Sequence, residues 1–331
     1  MNIKDLVGFS KPATKLIEVI AQGVGAVSAP MLIRWTADAK AYEIKTISKA
    51  VADSRQLLTD ANYREGYVSV SMAAENPVEG LPARAQGRIG FESVKKQINI
   101  ESVTGYAAEN LPDDAEVSPD PVDPDWISRF FNIAQDITSD QMQDLWGRIL
   151  AGEVKKPGSY SLRTLALLRN LSREEAELFC RAAELNVQFG KGAFIVNPDN
   201  YEFLSKVYGL DFNSFLNLKE AGILVTDDVS YTQAEQKASE ATALIFGDTV
   251  VVRKLTADSG SISLPVLKFT NTGMELLSLV PPKFDLAYAQ KVCSLLKRPG
   301  VVFEYGPLKR IEADKIHHGP LSEFPNEGFP S

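Results

Sequence analysis

Apolar side chains recur with a helical period through much of the first third of the chain. Leu16, Ile20 and Val24 repeat every four residues behind Lys11-Pro12. A proline suits the first turn of a helix, where its missing N–H would have no partner. Pro30 should interrupt this run. Helices are predicted from Lys11 to this interruption, from Ile33 to Leu58 and from Arg84 to Asn110. Residues 60–82 carry no clear pattern, so a loop is expected there.

An acidic, proline-rich segment, LPDDAEVSPDPVDPD, follows at residues 111–125. Its prolines cannot lie inside a helix or a central strand, and its carboxylates repel one another. We therefore expect an extended linker here, with the main domain boundary within it. Residues 1–110 then form an N-terminal helical region, for which we expect a role in oligomerisation or in contact with a membrane.

Residues 126–188, beyond the linker, predict a central helical block. Trp146 lies on an apolar stripe with helical spacing, so its side chain should be buried. Pro157-Gly158 ends that helix. Ser172 and Glu175 have the spacing of a capping box at the start of the last helix in the block.

The pattern changes near residue 189, where short strand and helix candidates alternate. A strand pair is predicted around Gly247-Asp248, and another around Gly306-Pro307. The order of two helices, the phrase LKEAGIL, a hairpin and the phrase FTNTGMELL resembles the winged-helix fold over residues 172–280. The sequence therefore predicts a mainly α fold with a smaller α+β part. Its expected components are long N-terminal helices, a central helical block, and a winged-helix-like α+β module with a β-hairpin over residues 189–331.

Bulk properties narrow the function classes. The 331-residue chain carries a net charge of -8, which argues against wholesale binding to nucleic acid. Cys180 and Cys293 are its only cysteines, so a disulfide framework and a zinc finger are both excluded, and a reducing cytoplasm fits. We expect no signal peptide and no membrane-spanning helix. The predicted location is the cytoplasm, with peripheral contact at the inner membrane as an alternative.

Few residues in the sequence suggest a catalytic or metal-binding site. His317-His318 are the only histidines, and a pair of this kind usually lies at the surface rather than on a metal. The nearest approach to a metal-dependent nuclease is Glu304 with Glu312, Asp314 and Lys315, because such enzymes bring carboxylates and a lysine onto one metal ion. Their spacing matches no nuclease signature. No catalytic, metal-binding or cofactor-binding residue is predicted, no cofactor is expected, and the chain is expected not to be an enzyme.

Basic residues surround the Pro157-Gly158 turn. Lys155, Lys156 and Arg163 belong to this group. A solvated rim of a helical hairpin explains them most simply, and a contact surface for phosphates or an acidic protein is the alternative.

The charge-free run at residues 19–33 contains small residues that permit close approach of two helices. Leu16, Ile20 and Val24 are the candidate contact residues. Exposed apolar area is costly, at about 25 cal/mol per Å². A soluble homo-oligomer held through this helix is therefore expected, and contact with a membrane surface on activation is the alternative.

The stretch from Trp126 to Glu177 contains the phrase LWGRILAGEVKKPGSYSLRTL. It is similar to a family of bacterial proteins classed as a domain of unknown function, and KPATKLIEVIAQGVG near the N-terminus resembles the same proteins. The chain also looks akin to the abortive-infection alpha proteins. That resemblance implies a role in defence against phage and supplies no catalytic residues.

Three functions remain open on sequence grounds. The first is a non-enzymatic anti-phage defence protein, of the abortive-infection type, that acts through protein partners or membrane association. The second is a winged-helix regulator that binds nucleic acid, and Lys219 is the only cation on its candidate recognition helix. The third is a cryptic metal-dependent nuclease.

Overall fold

The chain divides into two compact units, residues 1–162 and 163–331. The computed structural model describes residues 10–25, 60–64, 67–71, 81–189, 192–227, 229–312 and 315–325. The helix predicted from Ile33 to Leu58 lies outside the described residues.

Helices dominate the described part of the first unit. Its elements are α1 (Lys11–Val24), β1 (Asp60–Arg64), β2 (Tyr67–Ser71), α2 (Leu81–Glu109), α3 (Pro124–Ala134) and α4 (Asp140–Lys155). β1 and β2 pair as an antiparallel hairpin, so the loop predicted for residues 60–82 is wrong at 60–64 and 67–71. α2 has 29 residues and is about 43 Å long at 1.5 Å per residue. The helix continues through Gly87 and Gly90 despite their low helix propensity.

The core of the first unit forms where α1, α2 and α3 pack around α4. Trp146 of α4 is fully buried, as predicted, and its ring lies 5.4 Å from that of Phe130 on α3. Gly147 lets α2 and α4 approach closely, because a Cβ atom there would lie 2.8 Å from the backbone nitrogen of Ala107. The apolar stripe of α4 therefore faces its neighbouring helices.

The acidic, proline-rich segment is packed on the first unit. Leu111 and Val122 are buried at its two ends, and the N–H of Ser118 donates to the carbonyl of Lys155 at 2.9 Å. The segment was expected to separate two domains, whereas the division between the compact units falls after residue 162. Its prolines do prevent helix and strand formation, but its backbone and apolar side chains find partners within the unit.

The second unit combines helices with a large sheet. Its helices are α5 (Leu162–Asn170, which begins at the last residue of the first unit), α6 (Arg173–Glu184), α7 (Glu202–Tyr208), α8 (Phe212–Glu220), α9 (Asn271–Leu277) and α10 (Leu286–Leu296). Its strands are β3 (Val187–Phe189), β4 (Gly192–Val196), β5 (Val229–Gln233), β6 (Ala241–Phe246), β7 (Thr249–Leu255), β8 (Ile262–Lys268), β9 (Val301–Glu312), β10 (Lys315–His318) and β11 (Ser322–Glu323).

The described strands of this unit form one antiparallel sheet of nine strands, ordered β10-β9-β7-β6-β3-β4-β8-β5, with β11 also paired to β9. The prediction of a mainly α fold with a smaller α+β part is therefore wrong, because the hairpin of the expected winged-helix-like module belongs to a much larger sheet. β3 and β5 were not predicted, because each is short and gains its stability from sheet partners rather than from local pattern.

Two local predictions for this unit have different outcomes. The capping box is confirmed, since Ser172 and Glu175 exchange side-chain and backbone hydrogen bonds at the start of α6. The hairpin expected at Gly306-Pro307 is wrong, because β9 runs straight through this dipeptide. β7 pairs with residues 301–307 of β9, and the carbonyl of Pro307 accepts the N–H of Gly319 at 2.8 Å. Pairing on both sides overrides the local preference for a turn.

Candidate interaction surfaces

The predicted contact residues of α1 belong to the core of the first unit. Leu16 and Ile20 are 1% and 0% exposed, and Val24 is half-buried. Gly23 lies against α3, since a Cβ atom there would fall 2.0 Å from Cδ2 of Phe131. The apolar face of α1 is therefore covered by the same chain, which removes Leu16 and Ile20 from any accessible contact surface.

Lys15 fastens α1 to the proline-rich segment. Its ammonium donates to the carbonyl of Ser118 at 2.5 Å and to that of Asp120 at 2.8 Å. Burial lowers the pKa of Lys15, and the nearby carboxylates of Asp120, Glu18 and Glu153 oppose that effect. Lys15 therefore makes a contact within the first unit.

The turn in the signature phrase is organised by one buried carboxylate. Glu153, near the end of α4, is 1% exposed. Its Oε1 accepts the N–H of Gly158 at 2.6 Å, and its Oε2 accepts the N–H of Tyr160 at 3.0 Å. Gly158 adopts the left-handed region, with φ 84°, which returns the chain toward α4. Sequence analysis missed this role, although a Glu four residues before a Pro-Gly pair was a usable signal.

A groove of about 500 Å³ opens beside this turn within the first unit. Trp126 and Tyr160 lie at its base, and the indole N–H of Trp126 donates to the carbonyl of Tyr160 at 2.7 Å. Both side chains are almost fully buried, so they contribute little accessible surface to a ligand. Their main effect is to fix the turn against α3.

The three basic residues predicted as a group occupy different settings. Lys155 donates to the carbonyl of Asn110 at 3.2 Å, which ties α4 to the end of α2. Lys156 is exposed beside the turn. Arg163 is exposed at the start of α5 and belongs to the second unit. Lys156 is thus the member of this group that the first unit presents to solvent.

The second unit buries an arginine among neutral partners. Arg253 on β7 is 1% exposed and donates to Oε1 of Gln236 at 2.6 Å and to Oγ of Ser259 at 3.1 Å. Its Nε has no hydrogen-bond partner among the described atoms. Burial, and then the charge of Arg298, lower the pKa of this group. The arrangement joins the loops that flank β6, β7 and β8.

The residues weighed as a nuclease site are used within the sheet. Glu304 pairs with Lys254 at 2.5 Å across β9 and β7, and Glu312 lies opposite Lys315 in the β9–β10 ladder. Asp314 lies outside the described residues. His317 and His318 are on β10, where His317 is opposite Arg310. Across the described portion of the chain, no group of three or more His, Cys, Asp or Glu side chains is arranged to hold a metal ion.

A buried polar cluster supports the helical side of the second unit. The hydroxyl of Tyr288 on α10 accepts the N–H of Val196 at 2.7 Å, and that of Tyr208 donates to Asp285 at 2.8 Å. Burial raises the pKa of both phenols and raises that of the Cys293 thiol to about 12. These groups stay protonated at neutral pH, which suits a structural role.

An exposed apolar patch lies on the surface of α8. Phe212 is 56% exposed and Leu216, one turn later on the same face, is 38% exposed. The ring of Tyr201 lies 5.5 Å from that of Phe212. We call these three residues the Phe212 patch.

The patch has a rigid base and an acidic border. Phe215 and Leu218, on the face of α8 that is turned away from solvent, are fully buried. Three exposed carboxylates adjoin the patch along the chain: Glu202 follows Tyr201, Asp211 precedes Phe212, and Glu220 comes one turn after Leu216. Hydrogen bonds from the Ser214 hydroxyl and N–H lower the pKa of Asp211, so it is ionised at neutral pH.

Tyr201 has a strained backbone conformation, which determines where its ring lies in the patch. This residue has φ 74°, a left-handed conformation that costs a non-glycine residue about 1–3 kcal/mol. Its N–H donates to Oδ1 of Asn197 at 2.7 Å, which helps to hold the conformation. Sequence analysis did not identify the patch, because periodicity shows that Phe212 is apolar but not whether the fold covers it.

The N-terminal half of α2 presents a second exposed surface with the opposite charge. Leu81, Arg88, Phe91 and Lys95 fall within one face of the helix, spaced at i, i+7, i+10 and i+14. All four are exposed, with Leu81 at 60% and Phe91 at 39%. We call these four residues the α2 stripe. No helix in the described ranges is long and apolar enough to cross a membrane.

Comparison with known proteins identifies the family. A family model described as "Protein of unknown function (DUF2806)" matches residues 83–293, which include most of α2, the signature turn and the Phe212 patch. No curated protein and no solved structure is similar enough to this chain to match it. Because the family model covers well over half of the sequence, the chain belongs to the DUF2806 family.

Proposed function

We propose that this protein is a non-enzymatic bacterial anti-phage defence protein that acts by binding a protein partner through the Phe212 patch. The defence role rests on a resemblance to abortive-infection alpha proteins in the small-residue and Ala/Lys/Glu helical character of the N-terminal half. The binding role rests on the exposed aromatic and aliphatic side chains of α8.

The exposure of Phe212 on a rigid support is the observation that carries the binding proposal. An aromatic side chain that is 56% exposed leaves a large apolar area in water, and clustered exposure of this kind marks interaction sites. Phe215 and Leu218 anchor the underside of α8, so little conformational entropy is lost when a partner docks. The strained backbone of Tyr201 adds support, because such strain is concentrated at functional positions.

The border of the patch favours protein over nucleic acid. Three exposed carboxylates would repel phosphates, whereas binding to nucleic acid gains its affinity from cations that neutralise them. Lys219 is the cation on α8, and it is half-buried. A protein segment with apolar and basic side chains fits this surface better.

A plaque assay with matched variants tests the proposal. Part of a broad phage panel should form fewer plaques on cells that express the wild-type chain than on cells that carry the empty vector. The double substitution Phe212→Ser and Leu216→Ser should restore the plaque count while the melting temperature stays unchanged. Ile311→Ser is the control, since Ile311 is 48% exposed on β9, away from α8 in sequence and element.

Two outcomes would contradict the proposal in different ways. Equal plaque counts with and without the wild-type chain across the panel would argue against defence. Protection that survives loss of Phe212 and Leu216 would show that the patch is not the docking surface.

A further inference from the structure

We infer that the partner of the Phe212 patch is the α2 stripe of a second copy of this chain. This inference deepens the proposed function and rests on it, because it names the occupant of the same patch. The two surfaces lie in different units, and each copy carries one of each.

Charge is the first argument for this pairing. Residues 81–96 of α2 hold four cations, Arg84, Arg88, Lys95 and Lys96, against one carboxylate, Glu92, which gives a net charge of +3. The border of the Phe212 patch carries Glu202, Asp211 and Glu220 against Lys206 and Lys219, which gives a net charge of -1. In a chain of net charge -8, the exposed half of α2 is therefore locally basic and complements the patch.

The order of side chains along the two helices is the second argument. On the α2 stripe, Phe91 lies between Arg88, three residues before it, and Lys95, four residues after it. On α8, Phe212 and Leu216 lie between Asp211 and Glu220. Phe91 placed between Phe212 and Leu216 would bring cations toward carboxylates on both sides.

The exposure of the α2 stripe is the third argument. Leu81 and Phe91 are 60% and 39% exposed, although both are large and apolar. Arg88 pairs with Glu92 at 3.5 Å, and both side chains are at least half exposed. A pair this exposed contributes little stability, so its arginine can change partner at small cost.

A contact between two different surfaces has a consequence for assembly. Each copy offers a Phe212 patch to one neighbour and an α2 stripe to another, so the contact is heterologous. Such contacts produce a closed ring, a reciprocal dimer or an open filament, according to the rotation between copies. The mass should therefore rise with protein concentration and fall with salt, since the bordering charges are exposed.

Two charge-reversed variants test the pairing. The first carries Arg88→Glu and Lys95→Glu, which makes both its surfaces acidic. The second carries Glu202→Lys and Glu220→Lys, which makes both its surfaces basic. All four positions are exposed, and circular dichroism with thermal melting checks that the variants fold.

Light scattering on separated species gives the outcome. The wild-type chain should have a mass above that of the monomer. Each charge-reversed variant alone should associate at least about tenfold more weakly than the wild type. An equal mixture of the two variants should recover the wild-type mass, because every contact in it again pairs a basic surface with an acidic one. Phe91→Ser and Phe212→Ser should each lower the mass as well, and they serve if a charge-reversed variant fails to fold.

Three results would overturn the inference. They are a wild-type chain that stays monomeric at every concentration, a single charge-reversed variant that keeps the wild-type mass, and a mixture that stays dissociated. Failure of this inference differs from failure of the proposed function. A monomeric wild type that still reduces plaques would reject self-docking alone, and an assembled wild type that gives no protection would reject the defence role alone.

Discussion

Removing the buried carboxylate of Glu153 tests whether the signature turn is a structural device. In Glu153→Ala, the N–H groups of Gly158 and Tyr160 lose their acceptors. Hydrogen bonds to a charged acceptor contribute about 1.5–3 kcal/mol each. Gly158 is exposed, so water can replace part of its bond, whereas the Tyr160 side is buried. We expect a loss of about 2–4 kcal/mol in the free energy of unfolding.

Urea denaturation followed by tryptophan fluorescence suits this measurement. Trp35, Trp126 and Trp146 are the only tryptophans, and all three belong to the first unit, so the signal reports that unit. With a slope of about 1–3 kcal/mol per molar urea, the midpoint should fall by roughly 1–2 M. Glu153→Gln keeps one carbonyl acceptor and should lose about half as much.

Asp114→Ala is the matched control, because this carboxylate is exposed on the same unit. Its midpoint should stay within error of the wild type. A Glu153→Ala midpoint equal to that of this control would show that the two backbone hydrogen bonds contribute nothing measurable, and the structural explanation of the signature phrase would be refuted.

Further predictions concern buried groups. Trp126→Phe should cost about 1–2 kcal/mol more than Trp146→Phe, since only the first indole N–H has an acceptor, and equal losses in urea titration would contradict this. A thiol reagent should label Cys180 in the native protein and Cys293 only after unfolding, because burial raises the pKa of the latter to about 12; rapid native labelling of both would refute it. Leu16→Ala should lower the free energy of unfolding by about 2–5 kcal/mol without changing the mass of the protein in solution. A lower mass with unchanged stability would show instead that Leu16 lies at an oligomer contact.

Features set by neighbouring residues could be predicted from the sequence. The start of α1 at Lys11, the break at Pro157-Gly158 and the capping box at Ser172 all depend on contacts within one or two turns. The burial of Trp146 followed from its place on an apolar stripe. These predictions succeeded because the local pattern and the final fold favour the same structure.

Features set by distant pairing could not be predicted in this way. β9 passes through Gly306-Pro307, a dipeptide with strong turn preference, because β7, β10 and β11 all pair with it. The three residues of β3 carry too little pattern to indicate a strand, yet they join β4 to β6 in the sheet. The sequence predicted a mainly α fold because the pairing of these strands depends on the whole unit, and local sequence patterns do not show it.

For the candidate surfaces too, the sequence shows which residues are apolar, but only the fold determines which of them are exposed. Periodicity identified the apolar face of α1, but α3 and α4 cover Leu16 and Ile20. Phe212 belongs to the helix that was considered for nucleic-acid recognition, and the fold leaves its side chain exposed together with that of Leu216. The apolar face of α1 is therefore used within the first unit, and the surfaces proposed above for self-association lie on other helices.

Electrostatics explain why a chain with a net charge of -8 would use α2 and α8 for contact with itself. Long-range repulsion between two acidic copies opposes association, so a stable contact needs a local region where the sign is reversed. Residues 81–96 supply that region, with Arg88 and Lys95 flanking Phe91. The apolar pair of Phe212 and Leu216 would then supply most of the affinity, while the bordering charges fix register and exclude like-charged surfaces. A surface of this kind is sensitive to salt and to single charge reversals, which is the behaviour that the mixed-variant experiment measures.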